Sequence, residues 1–159
     1  TACRRQRQMC IRDRYEVATY TQNDGLQPGS LYADATIYHP IGYNDLLGSI
    51  ILGAGFGGDQ ESMENWAYYF SSYGFVSATI QYNDPVNDSH GFRAEAMLEL
   101  INSIKMEDDR PNSPLYNALD TNEFAAVGYS LSGGSVQLAA VLNSSLSAVI
   151  ALNLSLIHI

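Results

Sequence analysis

Thiols stop early in this 159-residue sequence. Cys3 and Cys10 are its only cysteines, so no later segment can form a disulfide or a thiolate metal site. Positive charge stops almost as early. Of eight Lys and Arg residues, five (Arg4, Arg5, Arg7, Arg12 and Arg14) lie in the first fourteen positions, leaving Arg93, Lys105 and Arg110 against sixteen acids. A body so short of cations argues against a nucleic-acid or anionic-membrane partner, since both need a basic surface. No apolar run reaches the roughly 18 residues of a membrane-spanning helix. Carboxylates are absent after Ser130, and the three histidines are His39, His90 and His158. What remains is ordinary for one domain with a real core: 46% hydrophobic residues and a net charge of −9.

The basic head has no hydrophobic period. It is followed by no apolar segment of the about 7–15 residues an export signal needs. It resembles translated sequencing adapter, and Leu154-Ser155-Leu156-Ile157-His158-Ile159 resembles the companion scar at the other end. The expectation is that residues 1–14 and 154–159 are foreign to the fold, and that 15–153 form one partial domain of net charge near −13.

Between those ends, strands and helices alternate. Glu16–Gln22 and Ala33–Tyr38 have the β-branched and aromatic content of short strands, joined through Gly25 and Pro28-Gly29. Gly48–Leu52, Phe75–Ile80, Phe124–Val127 and Ala148–Asn153 read as further strands. From Gln60 to Ser72, Met63, Trp66, Ala67 and Phe70 fall on one helical face, which makes Trp66 a packing residue; Gly74 suits the cap beyond. Asp88 or Ser89 can cap a second helix carrying Met97, Leu100, Ile101 and Ile104 at helical spacing. Gly134–Leu142 reads as a third. Repeated strand–helix–strand units imply an α/β fold: a mostly parallel sheet with helices on both faces and an antiparallel edge at its start. His39 and His90 read as solvated loop histidines, and Asp108-Asp109 as a solvated acidic loop.

Two glycine motifs follow strands. Gly53-Ala54-Gly55-Phe56-Gly57-Gly58 satisfies the dinucleotide fingerprint through Gly53, Gly55 and Gly58. That reading wants an acid about 20 residues on, at the end of the next strand, to hold a ribose. The next strand instead ends Gln81-Tyr82-Asn83. The second motif is Val127-Gly128-Tyr129-Ser130-Leu131-Ser132-Gly133-Gly134, where a buried strand runs through a serine into a helix. Such a nucleophile elbow strains the serine backbone and needs small neighbours at −2 and +2. Gly128 meets that need; Ser132 stands where the usual pattern has glycine. Gly133 and Gly134 keep the helix start uncrowded. Acyl transfer builds charge on a carbonyl oxygen and needs two backbone N–H donors aimed at it. Leu131 offers one, and the loop at 53–58 offers the other through Phe56.

With both motifs in view, residues from about Ala33 to Asn153 resemble the α/β-hydrolases of the cutinase-like polyester (PET) hydrolase and dienelactone-hydrolase group. The likeness rests, in order, on Gly53-Ala54-Gly55-Phe56, Trp66, Tyr73-Gly74-Phe75-Val76, Ser113-Pro114-Leu115-Tyr116, Leu119-Asp120-Thr121, and the elbow at 128–134. It implies a three-layer α/β-hydrolase sandwich and a serine ester hydrolase. Ser130 would be the nucleophile, the N–H groups of Phe56 and Leu131 the oxyanion hole, and Phe56 and Tyr129 the walls of an ester-binding cleft. It implies no cofactor or metal, and an exported enzyme. In that family an Asp and then a His follow the nucleophile. Neither is found here outside the suspected scar, so the expectation is the front two-thirds of a domain, nearly inactive alone and with an apolar sheet edge exposed. A dinucleotide-binding oxidoreductase module and a non-catalytic hydrolase-like domain remain as alternatives. The particular ester and the oligomeric state stay open.

Overall fold

A computed structural model describes residues 14–154, so Cys3, Cys10 and His158 lie outside the described residues. Six strands form one mixed sheet: β1 (Val17–Thr21), β2 (Tyr32–Pro40), β3 (Leu47–Gly53), β4 (Val76–Tyr82), β5 (Leu119–Tyr129) and β6 (Ala148–Leu152). Their spatial order is β1-β2-β4-β3-β5-β6. β1 and β2 form the antiparallel edge, and β2 meets β4 antiparallel. From β4 through β3 and β5 to β6 all pairs are parallel. Three helices connect them: α1 (Glu64–Ser72), α2 (His90–Asp109) and α3 (Leu131–Leu142). The mixed six-stranded sheet with its helices is the α/β arrangement the alternation implies.

The period-2 pattern of the strands sorts the core into two layers. Ile51, Val76, Ala78, Ile80 and Ala126 face α2 and α3, where they meet Met97, Leu100, Ile104 and Val136. Ile50, Leu52 and Val127 point the other way, with Met63 and Ala67 at α1. Ser89 caps α2, its Oγ accepting from Phe92 N–H at 3.2 Å. At the end of α1, Gly74 takes φ 95° and Phe75 N–H returns to the Phe70 carbonyl, a left-handed closure that favours glycine.

Several expectations shift. The strand expected at Ala33–Tyr38 runs Tyr32–Pro40, so His39 lies within β2 rather than in a turn. Half-buried against the edge of the Tyr20 ring, it has its pKa lowered by burial. The strand expected at Phe124–Val127 extends over Leu119–Tyr129. The helix expected from Gly134 begins at Leu131, because the turn at Ser130 sets its start and residues 131–136 are buried. Asp108 closes α2 rather than lying in a loop, accepting Leu119 N–H at 2.9 Å. Around β6 and α3, Val141, Leu142 and Ile150 stand exposed.

Candidate active site

Sheet topology places the site. After β3 the chain passes through α1 to β4 on one side, and α2 then carries it across to β5 on the other. The crevice at such a reversal, beyond the C-terminal ends of the strands, is where open α/β sheets bind ligands. β3 and β5 pair in register with Gly53 opposite Gly128. The two glycine motifs, 75 residues apart in sequence, therefore leave the sheet side by side.

At the end of β5 the backbone turns sharply at Ser130, with φ 51° and ψ −110°. A side chain rarely adopts this conformation, which costs of order 1–3 kcal/mol. The turn is closed by Ser130 N–H to the Leu152 carbonyl at 2.8 Å and by Gly133 N–H to the Ser130 carbonyl at 3.0 Å. It also folds the chain back on Gly128. A Cβ there would lie 2.0 Å from the Ser132 carbonyl oxygen, so only glycine fits.

The loop after β3 lies against this turn. A side chain begun at Gly55 would come within 3.3 Å of Ser130 Cβ and 3.1 Å of the Tyr129 ring. Gly57 N–H bonds the Pro85 carbonyl at 2.8 Å, and Gly58 N–H bonds the Gly55 carbonyl at 3.2 Å. Leu131 is buried at the start of α3. Phe56 is 57% exposed and forms a ridge between two clefts. One cleft, of 280 Å³, is walled by Phe56, Met63, Trp66 and Tyr129. The other, of 290 Å³, lies between Phe56, Leu131 and the segment Val86–His90. The structure thus brings together Ser130, Phe56, Leu131, Tyr129, Gly53, Gly55, Gly128 and Gly133.

Two side chains stand elsewhere than expected. Trp66 is 46% exposed and lines the first cleft instead of packing in the core. Ala67 and Ser71 form the buried face of α1, with Met63 buried just before it, and Trp66 lies outside that face. His90 is not a solvated loop residue. It opens α2 with 5% exposure, and its ring fills the space over Gly134, where a Cβ would lie 2.3 Å from His90 Cδ2.

Four further residues, Ser132, Tyr82, Arg93 and Asp84, carry more of the site than their sequence context suggests. Ser132 is fully buried, and its hydroxyl donates to the Ala54 carbonyl at 2.5 Å. It shares a hydrogen bond of 2.9 Å with the Tyr82 hydroxyl and accepts from Arg93 Nη1 at 3.1 Å. A serine hydroxyl has one donor and two acceptor sites, so all are used. Burial pushes the Tyr82 phenol up to about 12, and the Ser132 bond opposes that rise. Arg93 is also fully buried, with its guanidinium 4.3 Å from the Tyr82 ring centroid. Burial lowers its pKa; nearby Tyr82 and Asp88 oppose the shift. Asp84 caps the adjoining turn, and bonds from the Asn87 side-chain amide and from the Asn87 and Val86 N–H groups hold its pKa down. A signal for Arg93 existed: a cation on the apolar stripe of α2, four residues before Met97.

The loop suits a dinucleotide poorly. Asp59, Glu61 and Glu64 crowd the start of the helix that would face a diphosphate, and like charge there removes the anion preference of a helix N-terminus. Among the described residues, no three His, Cys, Asp or Glu side chains gather as metal ligands.

A curated protein called Lipase 1, from Moraxella sp. (strain TA144), is 27% identical over 143 residues, which cover 89% of this chain. The chain spans 43% of the length of that relative. A family profile described as PETase, PET hydrolase-like, matches residues 11–154. A match over nearly the whole chain, on a mixed sheet with both motifs at its switch point, places this protein in the PET hydrolase-like family of α/β-hydrolases.

Proposed function

We propose that these residues are the nucleophile-bearing part of a serine carboxylic ester hydrolase. The observation that carries the reading is the backbone of Ser130, held at φ 51° between β5 and α3 with the glycine loop packed against it. Strain of this kind persists only where surrounding structure enforces it, and a nucleophile elbow uses it to turn the serine hydroxyl toward the substrate.

The chemistry follows. Ser130 Oγ attacks the acyl carbon as its proton passes to a general base, and the carbonyl oxygen gains the negative charge. The N–H groups of Phe56 and Leu131 stabilise that oxygen. The tetrahedral centre collapses, the C–O bond to the alcohol breaks, and the base returns its proton to the leaving oxygen. Water then repeats the sequence on the acyl-enzyme. Phe56, Tyr129 and Trp66 offer apolar walls for the acyl or alcohol part. A serine without its base is a poor nucleophile, and no carboxylate follows Ser130 in this sequence. In this reading the acid and histidine of the relay are not among the described residues, and the 159-residue chain alone hydrolyses esters near background. The acidic, thiol-free body after residue 14 suits an enzyme working outside the cell.

Two assays test the reading. A fluorophosphonate should label Ser130 in protein extended to include its relay; no labelling would leave a non-catalytic hydrolase-like domain, and labelling of another serine would move the nucleophile. With p-nitrophenyl butyrate, the 159-residue chain should stay near background. Robust turnover abolished by Ser130→Ala would mean that the base lies within these residues.

A further inference from the structure

We infer that Arg93 is a positioning residue for the oxyanion donor: it holds the carbonyl of the Gly55–Phe56 peptide and thereby aims the N–H of Phe56. The inference rests on the reading of Phe56 as that donor.

The argument begins with the peptide unit. A trans peptide is planar, so its C=O and N–H point in opposite directions, and fixing one fixes the other. Among the described residues no peptide is cis. The Gly55–Phe56 unit sits in a loop that could turn easily, with glycine before it and Gly57 at φ 66° after it. Gly58 N–H already holds the Gly55 carbonyl from one side, and Arg93 holds it from another. The two hydrogens of its Nη1 are shared among the Ala54 carbonyl at 3.0 Å, Ser132 Oγ at 3.1 Å and the Gly55 carbonyl at 3.2 Å. Its Nη2 donates to the Pro85 carbonyl at 2.5 Å. One rigid, planar fork therefore spans the oxyanion loop, the elbow and the loop after β4.

Satisfying stranded acceptors does not explain this arrangement. The Ala54 carbonyl already accepts from Ser132 Oγ, the Gly55 carbonyl from Gly58 N–H, and the Pro85 carbonyl from Gly57 N–H. Arg93 is a second donor to each. Packing does not explain it either, because an apolar side chain fills buried space without the cost of desolvating a cation. That cost is borne here by one of only three cations after residue 14, and among the described residues the single ion pair is Arg110 with Glu107. What the guanidinium adds is direction and polarisation. A charge-assisted bond at the Gly55 carbonyl draws electron density along the peptide and makes its N–H a stronger donor.

Ser132 ties the clamp to the nucleophile. Its hydroxyl joins Arg93, Tyr82 and the Ala54 carbonyl two residues after Ser130. The departure from glycine at this position thus links the elbow to the loop carrying the other oxyanion donor.

The test compares Arg93→Met, Arg93→Lys and Ser132→Ala with the parent chain by residue-resolved amide exchange. Gly57 and Gly58 are the reporters, since their N–H groups bond Pro85 and Gly55. In Arg93→Met their exchange should quicken about tenfold to hundredfold, as expected for a local opening, while amides of β3 and β4 keep their protection. Arg93→Lys keeps the charge but not the fork, and both it and Ser132→Ala should give smaller rises at the same amides. These two also decide the matter if Arg93→Met fails to fold. In protein extended to include its relay, the Arg93 variants should lower kcat for p-nitrophenyl butyrate about tenfold or more with KM changed less than about twofold, the mark of a lost transition-state interaction. Unchanged exchange at Gly57 and Gly58, a rise matched throughout β3 and β4, or an unaltered kcat would overturn the inference. Turnover that survives Ser130→Ala would instead sink the nucleophile reading, and the exchange result would stand apart from it.

Discussion

Replacing Ser130 by glycine should make the protein more stable while destroying the proposed nucleophile. Ser130 holds φ 51° and ψ −110°, a conformation in which Cβ crowds the backbone. Relief of that strain is worth about 1–3 kcal/mol. Against it stands the extra freedom glycine gains in the unfolded chain, about 0.5–1 kcal/mol. The difference spans about 0–2.5 kcal/mol, and its midpoint of about 1.2 kcal/mol corresponds to an increase in Tm of about 2–5 °C for a domain of this size. Ser130→Ala is the necessary partner, because it removes the hydroxyl but keeps Cβ and therefore the strain. Its stability should stay within about 0.5 kcal/mol of the parent. The other non-glycine residues at positive φ among those described, Asn117 and Asn153, are of a type that tolerates this region, so Asn117→Gly should bring no comparable gain. Urea and thermal unfolding followed by circular dichroism would measure all three variants under one set of conditions. Finding Ser130→Ala as stable as Ser130→Gly would refute the strain argument and, with it, the observation on which the functional reading leans.

Two further outcomes follow from the same geometry. Gly128→Ala should destabilise the protein by about 3 kcal/mol or more, at the upper end of overpacking costs, since the new Cβ would meet backbone rather than a movable side chain. Denaturant titration that placed it within 1 kcal/mol of the parent, again read against ordinary overpacking, would contradict the elbow geometry. Alkali should unfold the protein through its buried tyrosines. Burial raises the pKa values of Tyr20, Tyr32, Tyr38 and Tyr82 above the ordinary 10.0. Stability held by keeping them neutral is fully present below pH 10 and is lost as pH climbs toward the folded value, which for Tyr82 is about 12. Tyr82 alone accounts for about 2–3 kcal/mol across that window. Tyrosinate absorbance and far-ultraviolet circular dichroism should change together; free ionisation of all tyrosines near pH 10 without unfolding would count against it.

Local pattern carried much of this structure. The strand alternation, the stripe Met97, Leu100, Ile101 and Ile104, and the Ser89 cap were all legible because each depends on neighbours within a few residues. The misjudged residues share a different dependence. Trp66 falls at helical spacing from Phe70, but which side of α1 is buried depends on where β2 and β4 lie beneath it. His90 looks like a loop residue until Gly134 supplies the space its ring fills. Arg93, which drew no notice beyond the charge count, stands out only once three loop carbonyls and one hydroxyl converge on it.

The sequence by itself determined that two glycine-rich turns each follow a strand, that one contains a serine suited to an elbow, and that residues 131–159 contain no acid. Composition and short-range periodicity are enough for that. That the turns form one site was decided by the pairing of Gly53 with Gly128, after α1, β4 and α2 had carried the chain across the sheet. Periodicity tells a strand which face to bury but not which strand to lie beside. Partner choice comes from long-range packing, and so the crevice, the Arg93 clamp and the exposed wall at Trp66 exist only in the folded molecule.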